Sequence, residues 1–219
     1  MTQKSGIEQI WSLRLAEVAE ALRGNNFKVD ILENLEEAVA FFKDELLPFL
    51  NPETVGVAGS ETVTHSGVYQ ILQETSGIKF LNPYEKGLDP DERGKVLRAI
   101  FSADLLVTST NALTRGGHLL NLDGLGNRVS AMIFGPAKVL LFVGRNKICE
   151  DFDAAVARLT EFSAPANNVR LARPNPCVRT GYCMDCKSSQ RICNAWTLIE
   201  KSNPPERIHI LLINEDLGF

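Results

Sequence analysis

The sequence predicts an α/β protein: a mostly parallel sheet flanked by helices, with a cysteine-rich, irregular C-terminal segment. Three observations carry this. Strand-like and helical stretches alternate at least four times along the chain, the order of consecutive βα units. Val139 to Val143 is a continuous apolar run of the kind found in buried strands. Four of the five cysteines fall between positions 177 and 193, among Pro174, Pro176 and Gly181.

Taken in order, Ile7 to Arg23 carries an apolar stripe at helical spacing, ended by Gly24-Asn25-Asn26. Phe27 to Ile31 alternates as a strand. Asn34 caps a helix over Leu35 to Leu47, with Glu36 and Glu37 in its first turn. Pro48 and Pro52 bracket a loop. Thr54 to Ala58 reads as a buried strand, and a helix starts near Glu61 after the Gly59-Ser60 turn. Ile78 to Leu81 is a short strand. Asp89-Pro90 opens a helix that runs to Ala103, with proline at its favoured first position. Asp104 to Val107 is a strand, and Ala112-Leu113 with His118-Leu120 forms a hairpin around Gly116-Gly117. Asn127 to Phe134 is a short helix, Asp151 to Phe162 a longer one with room to extend beyond Pro165, and Ile208 to Ile213 a closing strand. Residues 1–170 are expected as the α/β domain, with 171–219 packed on it.

Composition narrows the function. The chain has 219 residues, 23 Lys plus Arg against 27 Asp plus Glu, and a formal charge of -4. That balance argues against binding nucleic acid through phosphate neutralisation. No run is long enough to span a membrane, and the start lacks the apolar stretch of a signal peptide. The expectation is a cytoplasmic protein with reduced cysteines. Neither a nicotinamide nor a flavin motif is seen.

The cysteine spacing is Cys177-x5-Cys183-x2-Cys186-x6-Cys193. Four thiolates match a tetrahedral zinc or an iron–sulfur cluster, and Arg179, Lys187 and Arg191 would offset their charge. The close-packed ferredoxin spacing and the second C-x2-C of a zinc ribbon are both absent. A loop of free thiols fits the same residues. Cys149 stands apart and reads as structural.

Two further stretches bear chemistry. Gly59-Ser60 joins a strand to a helix, where backbone N–H groups meet anions. It is neither G-x-G-x-x-G nor a P-loop. The stretch Thr108 to Arg128 follows a buried strand and packs hydroxyls, amides, a carboxylate and four glycines into 21 residues. Asn121, Asp123, Asn127 and Arg128 are expected to converge on a polar ligand, with Asp123 as general base. A plain turn at Asp123-Gly124 and a helix cap at Asn127 fit these residues too. His65 and His118 lie near these elements. Arg145-Asn146-Lys147 sits at a strand end, a place where basic residues are usually solvated but where ligands also bind in this class.

Asn111-Ala112, Asn121-x-Asp123-Gly124-x-Gly126-Asn127-Arg128-Val129, Gly135-Pro136-x-Lys138-Val139 and Gly144-x-Asn146-Lys147-Ile148 together resemble the LUD (lactate-utilisation) domain family. The resemblance continues through Ala164-Pro165-Ala166-Asn167 and from Pro176-Cys177 to Cys193-Asn194, covering about residue 8 to Gly218. It implies a fold similar to the sugar-phosphate isomerase and CoA-transferase superfamily (NagB/RpiA-like). It also implies a link to oxidation of L-lactate to pyruvate, as a small component beside larger iron–sulfur subunits. In that superfamily a Gly-Ser turn often binds phosphate, and Gly59-Ser60 looks similar. A later strand there ends in Gly-Ala-Asp with a catalytic carboxylate. Here Thr110-Asn111-Ala112 stands instead, and an amide cannot serve as a base. Glu61 matches the nucleophilic glutamate of CoA transferases by location only.

Three readings follow. The first is a component of lactate or related 2-hydroxy-acid oxidation. A small anion or hydroxy acid would bind at Gly59, Ser60, Asn111, Asn121, Asn127 and Arg128 beside Asp123. An iron–sulfur cluster or zinc would sit on Cys177, Cys183, Cys186 and Cys193. The second is a stand-alone enzyme on a phosphorylated sugar, CoA thioester or folate-like substrate. The third is a non-catalytic subunit docking to an iron–sulfur redox partner. Homo-oligomers are compatible with all three.

Overall fold

A computed structural model of the protein describes residues 5–219. The first four residues, on which part of the reading of the chain start rests, lie outside the described residues. The main sheet has six strands, all parallel, and the fold is α/β as expected. In chain order the strands are β1 (Lys28–Leu32), β2 (Thr54–Val57), β3 (Lys79–Leu81), β4 (Leu105–Thr108), β5 (Ala112–Thr114), β6 (Leu119–Asp123), β7 (Lys138–Gly144), β8 (Ile148–Cys149), β9 (Ala195–Ile199) and β10 (Ile208–Ile213). The helices are α1 (Gly6–Gly24), α2 (Leu35–Phe41), α3 (Leu47–Leu50), α4 (Glu61–Thr64), α5 (Val68–Glu74), α6 (Pro90–Ala99), α7 (Asn127–Ile133), α8 (Phe152–Ala157), α9 (Ala164–Arg170) and α10 (Pro176–Thr180).

The main sheet runs β1-β10-β7-β4-β2-β3. Its central strands bury both faces. Val139, Leu141 and Val143 of β7, with Ile210 and Leu212 of β10, pack against Leu15, Val18 and Leu22 of α1. Leu140, Phe142, Leu211 and Ile213 point the other way, toward Phe42, Val63 and Leu72. The period of two in strands and the apolar stripe of α1 produce these layers directly. Phe42 meets Phe142 edge to face at 6.0 Å between centroids.

A smaller sheet, β8-β5-β6-β9, stands beside the first and was not anticipated as a unit. The expected hairpin is its β5-β6 pair. Its turn lies against the end of α1: Asn25 Nδ2 donates to the carbonyls of Gly116 and Gly117 at 2.9 and 3.1 Å.

Two local expectations are corrected. Residues 171–203 are not wholly irregular, because α10 forms and β9 pairs antiparallel with β6. In β9, Trp196 and Leu198 are exposed, so its apolar residues do not mark an inward face. Pro48 does not break the helix. It lies in α3, directly after a π-helical turn at Phe42–Leu46, and Pro165 likewise follows one at Arg158–Ser163. A widened turn relieves the clash between a proline ring and the carbonyl four residues back. The helix from Glu61 stops at Thr64 and resumes at Val68, because Gly67 adopts a positive φ between them.

Gly117 has φ 77°, and a Cβ there would lie 2.8 Å from the backbone of Ala21 and Leu22. Backbone cannot yield as a flexible side chain does. Gly117→Ala is therefore expected to cost about 2 kcal/mol or more, read as a lower urea midpoint at unchanged slope.

Candidate functional site

The C-terminal ends of β2, β4 and β7 open into a cleft of about 300 Å³. This is where open parallel sheets place their ligands. The turn after β2 supplies Gly59 and Ser60, and the segment after β4 supplies Ser109 to Asn111. Lys147 enters after β7, and the loop between β6 and α7 brings Asp123, Asn127 and Arg128. The far wall is α9 with Arg170, continuing to Arg173.

Arg128 is buried and spends all five N–H groups inside the protein. Nε and Nη2 donate to Asp123 Oδ1 at 3.0 and 2.7 Å. Nη2 also donates to Asn111 Oδ1 at 2.6 Å, and Nη1 to Asn121 Oδ1 and the Ser109 carbonyl, both at 2.7 Å. Asp123 is equally committed, since its Oδ2 accepts from the Val129 N–H at 3.2 Å. Asn121 is fully buried and does not line the cleft; it accepts from Thr110 Oγ1, the Asn111 N–H and Arg128 behind the wall. Ser60 spends its hydroxyl on the Val63 N–H as the cap of the four-residue α4. Gly59 is close to the Tyr84 hydroxyl, which would lie 3.0 Å from a Cβ at that position. Asn111 Nδ2 and the Asn127 side chain have no hydrogen-bond partner among the described residues and face the cleft.

The residue not singled out from sequence is Lys147. It is 3% exposed and lines the cleft. Nζ donates to Ser109 Oγ at 2.9 Å and Thr62 Oγ1 at 3.2 Å, and no carboxylate pairs with it. Burial, then the neighbouring Arg128 and Arg158, lower its pKa to about 7. Its signal was the Gly144-x-Asn146-Lys147 run at a strand end, read there beside the ordinary solvated alternative. Around the cleft, Arg93, Arg128, Lys147, Arg170 and Arg173 face only two carboxylate side chains, Glu61 and Asp123. Glu61 pairs with Arg170 at 3.0 Å and Asp123 with Arg128. Arg93 stacks on the Tyr84 ring. The arrangement leaves net positive charge for an anion.

Cys177, Cys183, Cys186 and Cys193 are all free and all line one small cavity of about 20 Å³. Burial raises the Cys177 thiol, and the other three sulfurs raise it further through their charge. Arg191 clips the loop by donating to the Cys186 and Cys193 carbonyls, each at 2.8 Å. Arg191 Nε and Asn175 Oδ1 are buried there without partners. As the side chains stand, no three His, Cys, Asp or Glu among the described residues are grouped to hold a metal ion. Cys149 lies elsewhere, packed with Ala112, Leu120 and Leu159.

The two sites share walls. On α9, Asn167 and Arg170 face the cleft, while Ala164, Pro165 and Asn168 face the thiols. Ile192 lines the cleft between Arg191 and Cys193, which line the cysteine cavity.

No curated protein matches the chain. A crystal structure of a DUF162 family protein from Deinococcus radiodurans is similar in fold, with a TM-score of 0.51 at 14% identity. The match covers 93% of this chain and 98% of that one. The family model for the LUD domain matches residues 15–213, nearly the whole sheet and both sites, and this chain belongs to the LUD domain family.

Proposed function

We propose that the protein is a component of lactate or related 2-hydroxy-acid oxidation, binding the organic acid in the cationic cleft. The observation that carries this reading is the position of the cleft. It lies back to back with four free thiols, across α9 and the Arg191-Ile192-Cys193 segment. The acid's carboxylate is the kind of anion that the surplus of cationic side chains lining the cleft attracts. Asn111 Nδ2 offers a neutral donor to its hydroxyl. Arg128 and Asp123, each committed to the other, hold the cleft floor in shape. Asp123 and Glu61 are the side-chain carboxylates on the cleft wall among the described residues, but as a base Asp123 would first have to release Arg128.

The four thiols match an iron–sulfur cluster by donor chemistry, but as they stand they are not grouped to hold one, and their cavity of about 20 Å³ would have to open. Cys177, Cys183, Cys186 and Cys193 would hold it, and when bound it supplies one-electron transfer. Zinc on the same thiols would be structural.

A phosphorylated substrate is the second reading. Arg93, Arg170 and Arg173 at the cleft give more positive charge than one carboxylate needs.

Anaerobic purification is expected to yield iron, acid-labile sulfide and a broad visible absorption band. All three should be lost in the Cys183→Ser, Cys186→Ser double variant. Zinc, or no metal in a fully stable protein, would remove the redox component of the reading.

Lys147 separates binding from stability. Ser109 Oγ and Thr62 Oγ1 already donate to the carbonyls of Phe142 and Leu217, so removing the amine orphans neither hydroxyl. Between pH 7 and 10.5 the unfolded lysine binds more protons than the native one. Native stability therefore rises with pH across that window, and the full penalty is felt below it. Lys147→Met is expected to melt higher at pH 7 and to lose this pH dependence in thermal scans. The same variant is expected to bind L-lactate about tenfold or more weakly by calorimetry. Unchanged affinity would show that the anion lies elsewhere.

A further inference from the structure

Lys147 sits in a cradle that suits an amine better than an ammonium. Ser109 Oγ gives its own hydrogen to the Phe142 carbonyl at 2.6 Å, and Thr62 Oγ1 gives its hydrogen to the Leu217 carbonyl at 3.4 Å. Both oxygens therefore accept from Nζ. A neutral amine has two N–H groups and one lone pair, whereas an ammonium has three N–H groups. Here two N–H groups have acceptors, and the remaining vertex has no protein partner. The cleft is the open space that Lys147 lines.

The charges around it point the same way. Arg128 and Arg158 are the charged groups acting on Lys147, and both are cations. The nearby Asp123 carboxylate is held by Arg128 and the Val129 N–H. A buried amine whose protonation is disfavoured, lining an open cleft, is the arrangement of a nucleophilic lysine.

We propose that Lys147 forms an imine with the C2 carbonyl of a 2-oxo acid bound in the cleft, the oxidised counterpart of a 2-hydroxy acid. The proposal rests on the reading of the cleft as an organic-acid site. The Nζ lone pair forms the C–N bond while the carbonyl π pair moves to oxygen. That oxygen then leaves as water, taking both amine hydrogens, and the second C–N bond completes the imine. No oxidant or reductant is consumed. Asn111, whose Nδ2 is without a partner among the described residues, lines the same cleft as Lys147 and offers a donor to the acid.

The test uses the full chain, pyruvate as the probe, and cyanoborohydride to trap the imine as a stable secondary amine. Intact mass and peptide mapping then locate the adduct. The expected result is one reduced-pyruvate adduct, on Lys147. Its formation should be roughly tenfold or more faster than on any other lysine at pH 7, where ordinary lysines are almost wholly protonated. L-lactate, which has no carbonyl, should slow the trapping by occupying the cleft. Lys147→Arg, checked by its melting curve to be folded, should give no adduct above that of its surface lysines. If pyruvate raises the melting temperature of the wild type yet Lys147 stays unmodified, the imine proposal is overturned and the organic-acid reading stands. An adduct spread evenly over surface lysines overturns it equally. If neither pyruvate nor L-lactate binds, the organic-acid reading falls and the imine with it.

Discussion

The guanidinium of Arg128 joins parts of the molecule that the chain keeps far apart. It reaches the segment after β4 through Ser109 and Asn111, and β6 through Asn121 and Asp123, from its own place in α7. A buried ion pair recovers its desolvation cost only when its remaining hydrogen-bonding groups are also satisfied. Here every N–H of the guanidinium is used. The clasp ties the main sheet to the smaller one and makes the cleft floor rigid. It also consumes Asp123, as Arg170 consumes Glu61, so neither side-chain carboxylate of the cleft pairs with Lys147. The unbalanced charge in the cleft thus follows from how the floor is fastened.

Much of the scaffold could be read from residues. Asn34 accepts from the Glu37 N–H at 2.9 Å, as an N-cap should. Asp89 and Glu92 form a reciprocal capping box ahead of Pro90. These are local devices, decided within one helical turn, and so is the apolar alternation that built β7 and β10. The misses are of another kind. Strand β9 exists because β6 offers it an edge, and its own outward Trp196 and Leu198 give no sign of that. The proline at 48, read as the edge of a loop, breaks a helix only when the turn before it has ordinary width.

The candidate site was legible in part for the same reason. Asn111, Asp123, Asn127 and Arg128 stood out because polar groups crowd one loop region, and the structure sets them on the cleft wall. Asn121 belongs to the same crowd but turns inward, a matter of strand parity that chain position alone leaves ambiguous. Lys147 carries a long side chain whose fate depends on what covers it. In sequence it is one basic residue among three neighbours, Arg145, Asn146 and Lys147. In space, Arg145 pairs with Asp216 at 2.9 Å whereas Lys147 is buried with two hydroxyls for company.

The strand order has a consequence for how the molecule is made. β10, close to the end of the sequence, lies between β1, close to its beginning, and β7. During synthesis the growing chain can assemble β7, β4, β2 and β3 side by side, but β1 and α1 have no neighbouring strand to join until residues 208–213 leave the ribosome. Until β10 is made, the growing chain therefore carries an open apolar seam between β1 and β7 of its future sheet. Such a seam is the kind of surface that holdase chaperones cover. Insertion of β10 between β1 and β7 is the step that joins the two parts of the main sheet.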